Sequence, residues 1–139
     1  MSAAPAPVVI LISGRGSNLR AILAETRAGR LPIEIRAVIS NNPGAEGLQH
    51  ARAAGVLTEI VNHRDYTDRT QFDAVLMQAI DRHAPRLVIL AGFMRILGDA
   101  FIRHYTGRLL NIHPSLLPAF KGINTHVRAL ASGAAQHGA

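Results

Sequence analysis

The stretch Val8-Val9-Ile10-Leu11-Ile12-Ser13-Gly14-Arg15-Gly16-Ser17-Asn18 holds the reading that decides the fold. Val8 to Ile12 is a continuous apolar run, the pattern of a strand covered on both faces in a parallel sheet. Gly14-Arg15-Gly16-Ser17-Asn18 breaks it, and Leu19, Ile22 and Leu23 then recur at helical spacing, with Gly29 suited to the stop. Glycines permit a tight turn there, and the free N–H groups of a first helical turn favour an anion. Ser17 or Asn18 is expected to cap the helix and to add a hydrogen bond to a phosphate. A dinucleotide fingerprint fails, because its third glycine would fall at Leu19 and no acid stands near Ser40-Asn41-Asn42. The P-loop pattern fails too, since no Gly-Lys-Ser/Thr follows. A monophosphate suits the loop better, and the plain alternative is a glycine turn with an ordinary cap.

Working outward, Ile33 to Ser40 alternates like a strand and ends in the turn Asn41-Asn42-Pro43-Gly44. A short helix is expected from Ala45 to Ala54, closed by Gly55, and a brief strand from Leu57 to Val61. Phe72, Val75, Leu76, Ala79 and Ile80 make the cleanest helical stripe, ended by Pro85. Leu87 to Ala91 is the next buried strand, and Leu109 to His113 is a strand running into the loop Pro114 to Gly122. A last helix is expected over about 124–131. The alternation argues for an α/β fold: a Rossmann-like, mostly parallel open sheet with right-handed crossovers and helices on both faces. Residues 1–7, rich in Ala and Pro and without a basic residue, read as a loose tail rather than a signal peptide. Residues 8–139 read as one domain, incomplete at its C-terminal end because no strand or helix closes it.

At 139 residues and 48% apolar content the chain is long enough for one core. No apolar run approaches the ~20 residues of a membrane span, and the absence of cysteine excludes a disulfide scaffold or Cys-ligated zinc. A cytoplasmic protein is expected. The net charge of +6 raises the question of nucleic acid, but no two basic residues are adjacent. With two Tyr, four Phe and no Trp, little is available for base stacking. Anionic small substrates suit the arginines better.

Asn111 and His113 are two apart on an expected strand, so their side chains share a side where the strand leaves the sheet. Ligands of open α/β folds bind beyond such carboxyl ends. An amide N–H and an imidazole there suit acyl transfer, because both can aim at an oxygen that gains negative charge. A capping Asn and a packed His explain the pair equally well when it is taken alone. Metal is not expected: His104, His113, His126 and His137 are scattered and form no HExxH or similar cluster.

Three segments together resemble the folate-dependent formyltransferase family. They are Leu11 to Asn18, Ala91-Gly92-Phe93-Met94-Arg95-Ile96-Leu97, and Leu110 to Gly122, with Thr125-His126 and His137-Gly138 in the same register. The closest branch is the one whose acceptor is glycinamide ribonucleotide. The resemblance implies transfer of a formyl group from 10-formyltetrahydrofolate to that amine in purine (IMP) biosynthesis, without metal or covalent enzyme intermediate. It implies that Gly16, Ser17 and Asn18 hold the ribonucleotide phosphate. It also implies that Met94, Arg95, Ile96 and Leu97 line the folate pocket, with Asn111 and, on a looser motif, Arg69 in contact. Asn111 and His113 match the catalytic pair, and the third catalytic residue, an aspartate, falls beyond Ala139 in the family's register. Small molecules are then the partners, without nucleic acid or membrane, in a monomer or homodimer. Rival readings are formyltetrahydrofolate hydrolase, methionyl-tRNA formyltransferase, or an inactive phosphate-binding module should the chain end at Ala139.

Overall fold

The computed structural model describes residues 4–112. His113 and the helix expected over 124–131 lie outside them. Five strands, β1 (Ala6–Ile12), β2 (Ile33–Ser40), β3 (Thr58–Ile60), β4 (Leu87–Leu90) and β5 (Leu109–Asn111), form one sheet. All its pairings are parallel and the order is β3-β2-β1-β4-β5. Between them run α1 (Ser17–Arg27), α2 (Gly47–Ala53), α3 (Arg69–Asp81) and α4 (Asp99–His104). The expected parallel α/β architecture is what the chain adopts.

The apolar run of β1 is explained by its place. Each of Val8 to Ile12 is fully buried, because β1 is the central strand and both its faces are covered. Val8, Ile10 and Ile12 pack with Leu19 and Ile22 of α1 and Leu48 and Ala51 of α2. Val9 and Leu11 point the other way, to Phe72, Leu76 and Ile80 of α3 and Phe101 and Tyr105 around α4. The strand also starts at Ala6, two residues before the apolar run, so Ala6 and Pro7 pair with Ile33 and Glu34 instead of belonging to a loose tail.

β2 alternates only in its first half. The register slips between Val8 and Val9, which face Ile35 and Ala37, so Arg36 is an extra residue in the ladder. Such a bulge exchanges the faces of everything after it. Ile33 and Ile35 pack toward α1 and α2; beyond the bulge Val38 takes that face, while Ala37 and Ile39 turn to α3. Arg36 itself points out and donates to the His83 carbonyl at 2.7 Å.

α4 has no counterpart in the sequence reading, since its six residues are too few to show a period. It packs Phe101 under β4. Among the described residues no helix is long and apolar enough to cross a membrane.

Candidate functional site

The chain steps from β1 outward to β2 and β3, then returns to place β4 on β1's other side. The carboxyl ends of β1 and β4 therefore bound a topological switch point, where open α/β sheets hold ligands. The loop after β1 carries Gly14 to Gly16. The loop after β4, residues 91–98, starts beside it: the Ala91 N–H donates to the Leu11 carbonyl at 2.9 Å.

The β1 loop differs from expectation at its cap. Neither Ser17 nor Asn18 caps α1; both lie inside its first turn, and the N-cap is Gly16, left-handed at φ 78° and with no side-chain capping bond. The Gly16 carbonyl accepts from the Arg20 N–H at 2.8 Å. A cap without a side-chain acceptor leaves the first-turn N–H groups open to a ligand, which serves an anion better than the expected Ser cap would. Crowding explains the glycine. A Cβ on Gly16 would stand 2.6 Å from the Cα of Gly47, where α2 begins, so the two helix starts approach through a pair of glycines. The Gly47 N–H donates to the Gly14 carbonyl at 3.1 Å and ties them. Asn18 is buried under the turn, while Ser17 is exposed.

Across the switch point, Arg69, Met94, Arg95 and Ile96 line one open pocket of about 340 Å³. Tertiary structure brings Arg69 there from the start of α3, where Asp68 caps the helix by accepting from the Thr70 N–H at 2.8 Å. Met94 and Ile96 are 81% and 77% exposed, an arrangement that leaves two large apolar side chains without cover. Leu97 turns inward and packs against the α3 side of the core instead. The Arg95 guanidinium lies 5.4 Å from the centre of the Phe72 ring, and its Nε is buried with no hydrogen-bond partner among the described residues. Two cations beside bare apolar side chains fit a flat, largely apolar molecule with a carboxylate end.

Asn111 ends β5, exposed, with Leu90 as its partner on β4. Leu109 packs toward α3 and α4 and Leu110 toward α1 and α2, so alternation returns Asn111 to the α3 side. Phe93 and Leu97 of the 91–98 loop pack on that side too. The orientation of His113 relative to Asn111 lies outside the described residues. Among these residues no three His, Cys, Asp or Glu side chains gather as a metal site needs.

Sequence reasoning passed over Ser13 and Asp73. Ser13 Oγ accepts from the Met94 N–H at 2.8 Å and donates to Asn41 Oδ1 at 2.6 Å, linking the β1, β2 and β4 exits. Asp73 Oδ2 accepts from the Gly98 N–H at 2.8 Å. A small polar residue next to a glycine turn gives no signal of its own. Asp73 did leave one, an acid inside the buried stripe of α3.

A profile of the formyl transferase family matches residues 6–139. The phosphoribosylglycinamide formyltransferase of Escherichia coli is 49% identical over 94% of this chain and 62% of its own length. The human trifunctional purine biosynthetic protein adenosine-3 is 45% identical over 92% of this chain and 13% of its own. Among solved structures, the phosphoribosylglycinamide formyltransferase of Coxiella burnetii superposes with a TM-score of 0.77 at 54% identity, covering 94% of this chain and 61% of that one. The chain thus spans about three fifths of the length of these two bacterial relatives.

Proposed function

The chain belongs to the formyl transferase family, and from that premise we propose that it serves transfer of a formyl group from 10-formyltetrahydrofolate to the amine of glycinamide ribonucleotide, in purine biosynthesis. One observation carries the reading. A glycine turn with an uncapped helix start and a pocket lined by two arginines and two large apolar side chains adjoin at one switch point, which is what bringing a phosphate-bearing acceptor to a folate donor requires.

When bound, the folate supplies the formyl carbon. In this proposal Arg69 and Arg95 hold its carboxylates, and Met94 and Ile96 cover its rings. Leu97 shapes the loop from within the core. Gly16, Ser17 and Asn18 present first-turn N–H groups to the ribonucleotide phosphate. Fixing both molecules in register lowers the entropic part of the barrier. Asn111, at the tip of β5, donates an amide N–H to the formyl oxygen as it gains charge and also touches the folate. His113 joins it at that oxygen. The ribonucleotide amine bonds to the formyl carbon, the bond from that carbon to the folate nitrogen breaks, and the proton the amine loses passes to the departing nitrogen, a transfer that an imidazole serves near neutral pH.

The test is formyl transfer by the full-length protein with glycinamide ribonucleotide or water as acceptor. Transfer to the ribonucleotide is expected, and Asn111→Ala or His113→Ala should each lower turnover by about 10²-fold or more. Turnover with water alone would make the protein a hydrolase, and near-normal turnover in either variant would remove that residue from the reaction.

A further inference from the structure

The pocket-bearing segment Met94 to Leu97 lies in no helix or strand, and among the described residues none of its backbone groups bonds to other backbone. It is nonetheless held at both ends, and by side chains from elsewhere in the chain. Met94 N–H reaches Ser13 Oγ, which is 8% exposed; Gly98 N–H reaches Asp73 Oδ2, on a residue 5% exposed. Behind Ser13 stands a second layer. Asn41, 4% exposed, accepts the Ser13 hydroxyl proton, so the Oγ lone pairs are left facing Met94. Asn41 is steadied in turn by His63, whose backbone N–H donates to the Asn41 carbonyl at 3.2 Å and whose Nδ1 lies 2.9 Å from that carbonyl and 3.3 Å from Asn41 Nδ2. The glycine turn has separate ties, from Gly47 N–H to the Gly14 carbonyl and from Arg20 N–H to the Gly16 carbonyl.

We propose that Ser13 and Asp73 are positioning residues for the formyl donor: together they clamp the Met94–Gly98 segment and so set the pocket edged by Arg69, Arg95, Met94 and Ile96. This rests on reading that pocket as the donor site. An unclamped loop would sample many conformations, and donor binding would have to order it first. The acceptor side, tied independently, would be spared. A purely structural role would instead weaken both substrates and the fold together.

Steady-state kinetics of the full-length protein separate these cases. Ser13→Ala and Asp73→Ala should each raise the KM for 10-formyltetrahydrofolate about tenfold or more, the effect of losing one N–H hydrogen bond in a part-buried position. The KM for the ribonucleotide should stay within about threefold. Ser13→Thr and Asp73→Asn keep an acceptor in place and should restore most of the donor KM. If Ser13→Ala does not fold, Ser13→Cys preserves the shape with a much weaker acceptor and should show the same donor effect. An unchanged donor KM in the Ala and Cys variants, an equal rise in both KM values, or failure of the Thr and Asn variants to rescue overturns the proposal. A wild-type protein without formyl transfer would overturn the reading of the pocket itself, a result distinct from any of these.

Discussion

At the scale of single residues, Gly16 carries the most demanding position. Its φ of 78° disfavours any side chain, and the Cα of Gly47 occupies the space of a Cβ at 2.6 Å. Gly16→Ala is expected to cost about 2 kcal/mol or more, from left-handed strain and from parting the two helix starts. Urea denaturation measures it, and a loss below half that value would mean the turn relaxes freely. The glycine turn was legible in the sequence, between an apolar run and a helical stripe. The cap was not, because Ser17 and Asn18 are good capping residues and nothing local says that Gly16 takes that place. Asn111 was legible as a strand-end amide, since β5 does end there.

At the scale of elements, α3 shows how a cap reaches a site. Asp68 fixes the first turn, and Arg69 leaves that turn for the pocket. Asp68→Ala should lower stability by about 1 kcal/mol, read from thermal or urea unfolding, and should weaken donor binding through Arg69; full stability would show the cap to be idle. The far end of α3 is held by Tyr105, which follows α4 and donates to Asp81 Oδ1 at 2.9 Å. Burial pushes the Tyr105 phenol far above its ordinary range, and the hydrogen bond to the Asp81 carboxylate adds to the shift. The raised value fixes the sign: the fold favours the neutral phenol. This contribution is complete below the unfolded-state value of about 10 and declines as pH rises beyond it. Stability should therefore fall with alkaline pH more steeply in the wild type than in Tyr105→Phe; parallel curves above about pH 10 would refute the assignment. The α3 stripe stood out in the sequence because thirteen residues give several turns of period, whereas α4 has six.

At the scale of the whole molecule, two cores share one central strand. β1 is buried on both faces and paired on both sides, while β3 and β5 are the edges of the described sheet. Amide hydrogen exchange should then be slowest in Val8 to Ile12 and faster in Thr58 to Ile60, because local opening is easiest where least is packed. Comparable protection in both strands would contradict this hierarchy. The sequence by itself determined the order of the strands and of every helix but α4, the parallel class and the glycine turn, since a doubly covered strand must be apolar throughout and turn residues act over a few neighbours. It also supplied the family, whose spaced segments survive in the chain as text. Only tertiary structure decided which loops adjoin. Ser13 meets Met94 across 81 residues and Asp73 meets Gly98 across 25. The Arg36 bulge exchanges the faces of β2 in mid-strand, and Arg69 joins a loop 25 residues further along the chain only because α3 and β4 pack on the same sheet. Such contacts follow from how layers pack, and packing depends on the shapes of distant side chains together, which no local spacing records.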